Sequence, residues 1–298
     1  MQQAVSEAPK AKPLWRRILD FPLVALLIAI AVFVAATALA IVIGKAFEGV
    51  GQPERTVIRG AISIALVFAA YKLIIAKLGE RPHDDLPAKN ALKNLGLGLL
   101  TGFGLMAAAV GVAAALGVYQ IIGPGDASRF VLELVTVAIL PGFMEELAFR
   151  GILFRWIEEF GGSWAALAIT SALFGVAHIF NPNATWFSSF TIAVEAGVLL
   201  GAAYMLTRSL WLPIGLHAAW NFTQGEIFDV PVSGVDEHGL VEAKLSGPEL
   251  LSGGTFGLEA SIIALTIATA AGLWLVYLSV RNGRIVQPWW VRRRRSAA

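Results

Sequence analysis

An all-α, polytopic membrane bundle of about eight transmembrane helices is the fold class this 298-residue sequence predicts. Three observations carry that expectation. The chain is 57% hydrophobic and only 15% charged, with a mean hydropathy of +0.70, whereas soluble proteins carry roughly 25% charged residues. About eight apolar stretches approach the roughly 20 residues that a helix needs to cross a hydrocarbon core about 30 Å thick. Alternation of apolar and polar residues over about ten positions, the mark of a membrane barrel, is nowhere sustained.

The stretches follow in order. A basic segment, Lys10, Lys12, Arg16 and Arg17, precedes the first, near Phe21 to Ile43. This stretch exceeds the roughly 7 to 15 residues of a signal-peptide core, so it reads as an uncleaved anchor. The second lies near Val57 to Leu78 and the third near Leu92 to Ile122, where the spacing Gly98-x-x-x-Gly102 lets helix backbones approach closely. The fourth, Phe130 to Arg150, contains Pro141-Gly142, expected to interrupt the helix and free backbone groups. Gly161-Gly162 offers a turn into the fifth, Trp164 to Phe180. The sixth, Trp186 to Thr207, carries Glu195, and the seventh runs from Leu212 to Phe228. Residues of about 226–254, acidic and glycine-rich, read as an extracytoplasmic loop or cap before the eighth stretch, Phe256 to Val280. No internal repeat is evident, and residues 1–298 read as a single integral membrane domain with a motif-bearing core at about 130–228.

Lys and Arg in the short loops set orientation. Lys77, Arg81, Lys89, Lys93, Arg155, Arg208, Arg281, Arg284 and Arg292 to Arg295 fall on one side with the basic N-terminal segment, and the acidic loop falls on the other. Both termini are therefore expected in the cytoplasm, with the chain in the cell (inner) membrane. The terminal Arg run beside Trp289 and Trp290 reads as an anchor to anionic lipid, not a nucleic-acid tail, so membrane lipid is an expected partner and nucleic acid is not. With no cysteine, the chain has no disulfide, no thiolate metal site and no thiol nucleophile. His238 with Asp236 and Glu237 reads as solvated loop.

Ionisable side chains inside apolar helices cost roughly 2.5 to 3.5 kcal/mol each on insertion scales, so they face a polar cavity or a partner. Here they are Glu145, Glu146 and Arg150, then Glu195, His178 and His217, with Asn221 beside them. Neighbours on a helix diverge by about 100°, whereas residues four apart share a face. Glu146 and Arg150 therefore pair, leaving Glu145 turned toward another partner. Phe174 and His178 share a face, as do His217 and Asn221. Glu145 and His178 each lie roughly 25 Å from the Gly161-Gly162 turn along antiparallel arms, so they are expected to meet. A carboxylate in low dielectric is a better base near neutral pH, and fixed donors in a dry site act on a developing oxyanion. Three function classes remain: a hydrolase; an ion- or proton-coupled transporter using Glu145, Glu195 and the histidines as a relay; and a catalytically inactive scaffold.

The motifs Glu145-Glu146-x-x-x-Arg150, Phe174-x-x-x-His178 and His217-x-x-x-Asn221, in that order on successive hydrophobic segments, resemble the family of CAAX prenyl endopeptidases and bacteriocin-processing enzymes, the CPBP family. The likeness covers about Phe130 to Phe228. It implies an intramembrane endopeptidase in which Glu145 deprotonates water, His178 positions that water, and His217 with Asn221 stabilises the oxyanion. Glu146 and Arg150 would support them, with Phe174 and Glu195 beside. No cofactor is expected on that reading. The alternative is a zinc enzyme in which Glu145, His178 and His217 form a His₂Glu set with an open position, although no H-E-x-x-H signature is present. The implied substrate is a peptide or membrane protein: a prenylated C-terminus, a peptide leader, or another membrane protein.

Overall fold

The computed structural model describes residues 13–297, with side chains to Arg294. Lys10, Lys12 and the side chain of Arg295 lie outside the described residues. Among these, six helices are long and apolar enough to cross a membrane: α1 (Pro22–Phe47), α2 (Glu54–Lys77), α3 (Ala91–Ala115), α5 (Ser163–Phe180), α6 (Trp186–Thr207) and α8 (Ile262–Arg281). Two further helical rods complete the all-α bundle, α4 over 130–161 and α7 over 211–227. Both match stretches read from the sequence. They stand apart because α4 is crowded with Glu133, Glu145, Glu146, Arg150, Arg155, Glu158 and Glu159, and α7 is short.

The structure corrects three boundaries. The third stretch ends at Ala115, not Ile122; after a left-handed Gly117 the chain becomes β1 (Tyr119–Pro124). β1 pairs antiparallel with β2 (Val241–Leu245), Tyr119 opposite Leu245, with an irregularity between Ile121 and Gly123. Tyr and Ile suit a strand where a partner supplies hydrogen bonds. The 226–254 segment is accordingly a folded cap, pinned by Asp229, whose carboxylate accepts from the Gly239 and Ala243 amides at 3.0 and 2.8 Å. Finally, α8 begins at Ile262, so Phe256–Ala260 belongs to the cap.

Close backbone approach assembles the interior. A methyl added to Gly98 would collide with the Leu212 carbonyl, and one on Gly102 with that of Leu216. The Gly98-x-x-x-Gly102 seam thus seats α3 directly on α7, as the small-residue spacing predicts. Gly175 of α5 rests in the same way on Ser189 and Ala193 of α6. One apolar cluster, with Tyr71, Phe143, Leu147, Phe154 and Trp156, joins α2 to α4, and a second, with Met106, Leu199, Leu216 and Trp220, joins α3, α6 and α7.

The two ends of the bundle differ. At one, Asp85 is fully buried and accepts from Tyr71 and Tyr204, both at 2.8 Å, with Arg155 at 3.3 Å. Trp289, in helix α9 (Trp289–Ala297), packs edge-on against Phe21 at the same end, so the start of α1 and α9 meet there. The opposite end carries the cap, tied to the α5–α6 turn by Asn181 and Asn183, which donate to the Ser233 and Gly234 carbonyls.

Candidate active site

The site forms where helices widen. Wide π turns occupy Leu134–Ile139 and Leu147–Phe154 of α4, Ala193–Gly197 of α6 and Thr223–Ile227 of α7. Such turns release backbone groups from the regular ladder and concentrate at functional sites. Contrary to the expected interruption, α4 continues through Pro141-Gly142. The π turn just ahead absorbs the proline ring, and because Pro141 lacks an N–H, the Val137 carbonyl four residues back loses its α-helical donor. Asn221 Nδ2 takes that carbonyl at 3.0 Å, docking α7 onto α4.

The adjacent glutamates face different surroundings. Glu146 is 0% exposed, and its Oε1 accepts from Arg150 Nη1 at 2.7 Å and from His217 Nδ1 at 2.9 Å. The Arg150 pair is the one the four-residue spacing predicts. The His217 contact is new, and it makes Glu146 the residue that orients His217 as well as the partner of Arg150. Arg150, also 0% exposed, donates to the Ala196 and Gly197 carbonyls of α6 at 3.2 and 3.3 Å and lies 4.6 Å from the Phe174 ring centroid. It is a hub joining α4, α5 and α6. Glu145 is half-buried, and its Oε2 has no hydrogen-bond partner.

Glu145, His178, His217 and Asn221 line one cavity of about 320 Å³. His178 Nδ1 donates to the Phe174 carbonyl at 2.7 Å, which fixes the tautomer and leaves Nε2 as the acceptor. His217 commits its Nδ1 proton to Glu146, so its Nε2 donates only when the ring carries a second proton. Phe174 packs between the two imidazoles, 4.7 Å from His178 and 6.1 Å from His217. Both histidines keep one nitrogen free, yet no three His, Asp or Glu side chains among the described residues converge as a metal-binding group, and that includes Glu145, His178 and His217, and Asp236 to His238.

Glu195 is buried in the α6 π turn with Oε2 unpartnered. It faces a pocket of about 30 Å³ shared with His217, Asn221 and Glu259, room for roughly one water. The sequence reading missed Glu259, whose signal was a glutamate inside what reads as the eighth apolar stretch. Its carboxylate accepts the Ser233 amide, and burial pushes it up to about 7. Glu133 on the cavity wall was missed as well, and Glu237, read as solvated loop, is half-buried on that same wall.

Residues 127–223 match the family described as Type II CAAX prenyl endopeptidase Rce1-like. That segment holds all three motifs, so the resemblance read from them stands over the site-bearing core, and it supports a CAAX-type intramembrane endopeptidase in general terms. No curated protein and no solved structure matches the chain.

Proposed function

We propose that this protein is an intramembrane endopeptidase that hydrolyses a peptide bond with a water activated by Glu145. The observation that carries the reading is the contrast between the paired glutamates. Glu146 is fully buried with its Oε1 held by Arg150 and His217, while Glu145 lines the shared cavity and neither of those partners engages it. Glu145 takes a proton from water as the hydroxide oxygen attacks the scissile carbonyl. His178 Nε2 accepts from the same water and orients it. Negative charge on the carbonyl oxygen is met by the Nε2 proton of the His217 imidazolium and by the Asn221 amide proton not engaged by Val137. Glu145 then returns its proton to the departing amine as the tetrahedral intermediate collapses, so water is the only reagent consumed.

The same reading puts both termini in the cytoplasm of the cell (inner) membrane. Lys77, Arg81, Arg155, Arg208 and Arg284 lie at the end where Phe21 meets Trp289, which positive-inside bias assigns to the cytoplasm. The cavity then opens toward the cap, on the extracytoplasmic face. The substrate is a peptide or membrane protein, with a prenylated C-terminus or a leader segment among its forms. Trp289, Trp290 and the Arg run hold α9 against anionic lipid.

The test is hydrolysis by purified wild type and Glu145→Gln. Gln keeps the shape but not the basicity, and loss of a general base lowers rate by about 10² to 10⁴. Wild type is expected to stay active after chelation. Activity of Glu145→Gln within a few-fold of wild type at equal folded amount removes Glu145 from this role, and activity abolished by chelator and restored by zinc overturns the metal-free step.

A further inference from the structure

The cavity that contains Glu145 has an acidic outer half. Glu133 lines it from α4 and is only 2% exposed; no N–H group meets its carboxylate within hydrogen-bonding distance, and its neighbour there is the Glu226 carboxyl of α7. Arg129 Nε stands 3.5 Å from Oε1, with half of that side chain in solvent, and Oε2 has no cation within ion-pairing distance. Asp236 and Glu237 enter the same wall from the cap. Burial, with the Glu133 charge next, pushes Glu237 up to about 7. With Glu226 beside Glu133, four carboxyl groups meet one guanidinium here. A buried carboxylate without a donor is costly, and an incoming cation with N–H groups removes that cost.

We propose that this outer half is a subsite for a cationic substrate side chain, Lys or Arg, with Glu133 and Glu237 accepting from its N–H groups and Asp236 attracting it at the rim. The inference rests on the endopeptidase reading above. It also fixes a position. Glu133 precedes Glu145 by twelve residues, roughly 18 Å along the helix axis. An extended peptide covers that in about five residues, and the length of a Lys side chain shortens the need to about three. The selected cation thus sits about three to five residues from the scissile bond.

The probe is a library of internally quenched fluorescent peptides carrying an apolar anchor, with Lys, Ala or Glu at one scanned position. Wild type is expected to show kcat/KM about 10- to 100-fold higher for Lys than for Ala at one position in that window, the range for a charge-assisted hydrogen bond. Glu133→Gln/Glu237→Gln should bring the ratio to within about threefold. A flat profile in wild type, or a preference that survives the double variant, overturns the subsite. Should the double variant not fold, Glu237→Gln alone, in the cap, must lower the ratio several-fold or the proposal fails. Anisotropy of the same labelled peptides on Glu145→Gln protein reads binding without hydrolysis. Tighter binding of the Lys member that Glu237→Gln abolishes upholds the subsite even where wild type cleaves nothing and the endopeptidase reading falls; equal binding of Lys, Ala and Glu members overturns it.

Discussion

Glu145 and Glu146 are the same side chain one position apart, and the 100° between them divides their work. Glu146 turns into the bundle, where Arg150 and His217 share its Oε1. Arg150 in turn reaches two carbonyls of α6 and the Phe174 ring. Removing it leaves the buried Glu146 with His217 alone and frees two α6 carbonyls, and breaking a buried pair costs about 3 to 5 kcal/mol, set against total stabilities of about 5 to 15 kcal/mol. Arg150→Ala is therefore expected to yield little folded protein, measured as the monodisperse fraction and thermal midpoint in detergent. Wild-type stability with turnover lost would move Arg150 into the chemistry. The Glu146–Arg150 pair was legible because four residues on one helix are neighbours in any fold. The Glu146–His217 bond was not, since it joins α4 to α7 and depends on how two distant segments dock.

At the scale of elements, the sequence announced where helices would pack closely but not against what. Gly98 and Gly102 read as a contact seam, and the structure supplies α7, the helix of His217 and Asn221, as the partner. Gly102→Leu would drive a side chain into the Leu216 backbone, where overpacking costs about 1 to 3 kcal/mol or more. It should also shift His217 and Asn221 off the cavity, lowering thermal stability and turnover together. Gly96→Ala, facing open space nearly two turns earlier, should leave stability unchanged or raise it by up to about 1 kcal/mol. Equal behaviour of the two variants would sever α3 packing from the site. Pro141 misled for a physical reason: a proline breaks an α-helix, yet a π turn ahead of it keeps the rod continuous and leaves the Val137 carbonyl for Asn221. β1 was hidden because its apolar residues continue the hydropathy of α3 without a gap, and only the distant β2 makes them a strand.

Over the whole molecule, the cap and the bundle are joined by groups that titrate. Ser233 of the cap donates its amide to Glu259, which sits at the entrance to α8, and donates no charge to balance it. Glu259 is 2% exposed, and burial lifts its carboxyl from 4.5 to about 7; Glu237 is lifted likewise to about 7. A carboxyl whose folded pKa lies above its unfolded value favours the fold when protonated. Its contribution is complete below about pH 4.5 and is lost as pH rises through about 7. Ionising Glu259 leaves the Ser233 bond in place but puts a buried charge beside the Glu195 carboxyl across the small pocket, where His217 and Trp220 offset less than burial costs, so the cap should loosen where it meets the bundle. The thermal midpoint of wild type in detergent should therefore fall between pH 5 and pH 8. Glu259→Gln keeps an acceptor for the Ser233 amide and cannot ionise, so its midpoint should fall less over the same range, the two curves separating most above pH 7. Parallel curves would mean that Glu259 stays protonated, or that its charge is met by a partner, and would uncouple the cap from its titration.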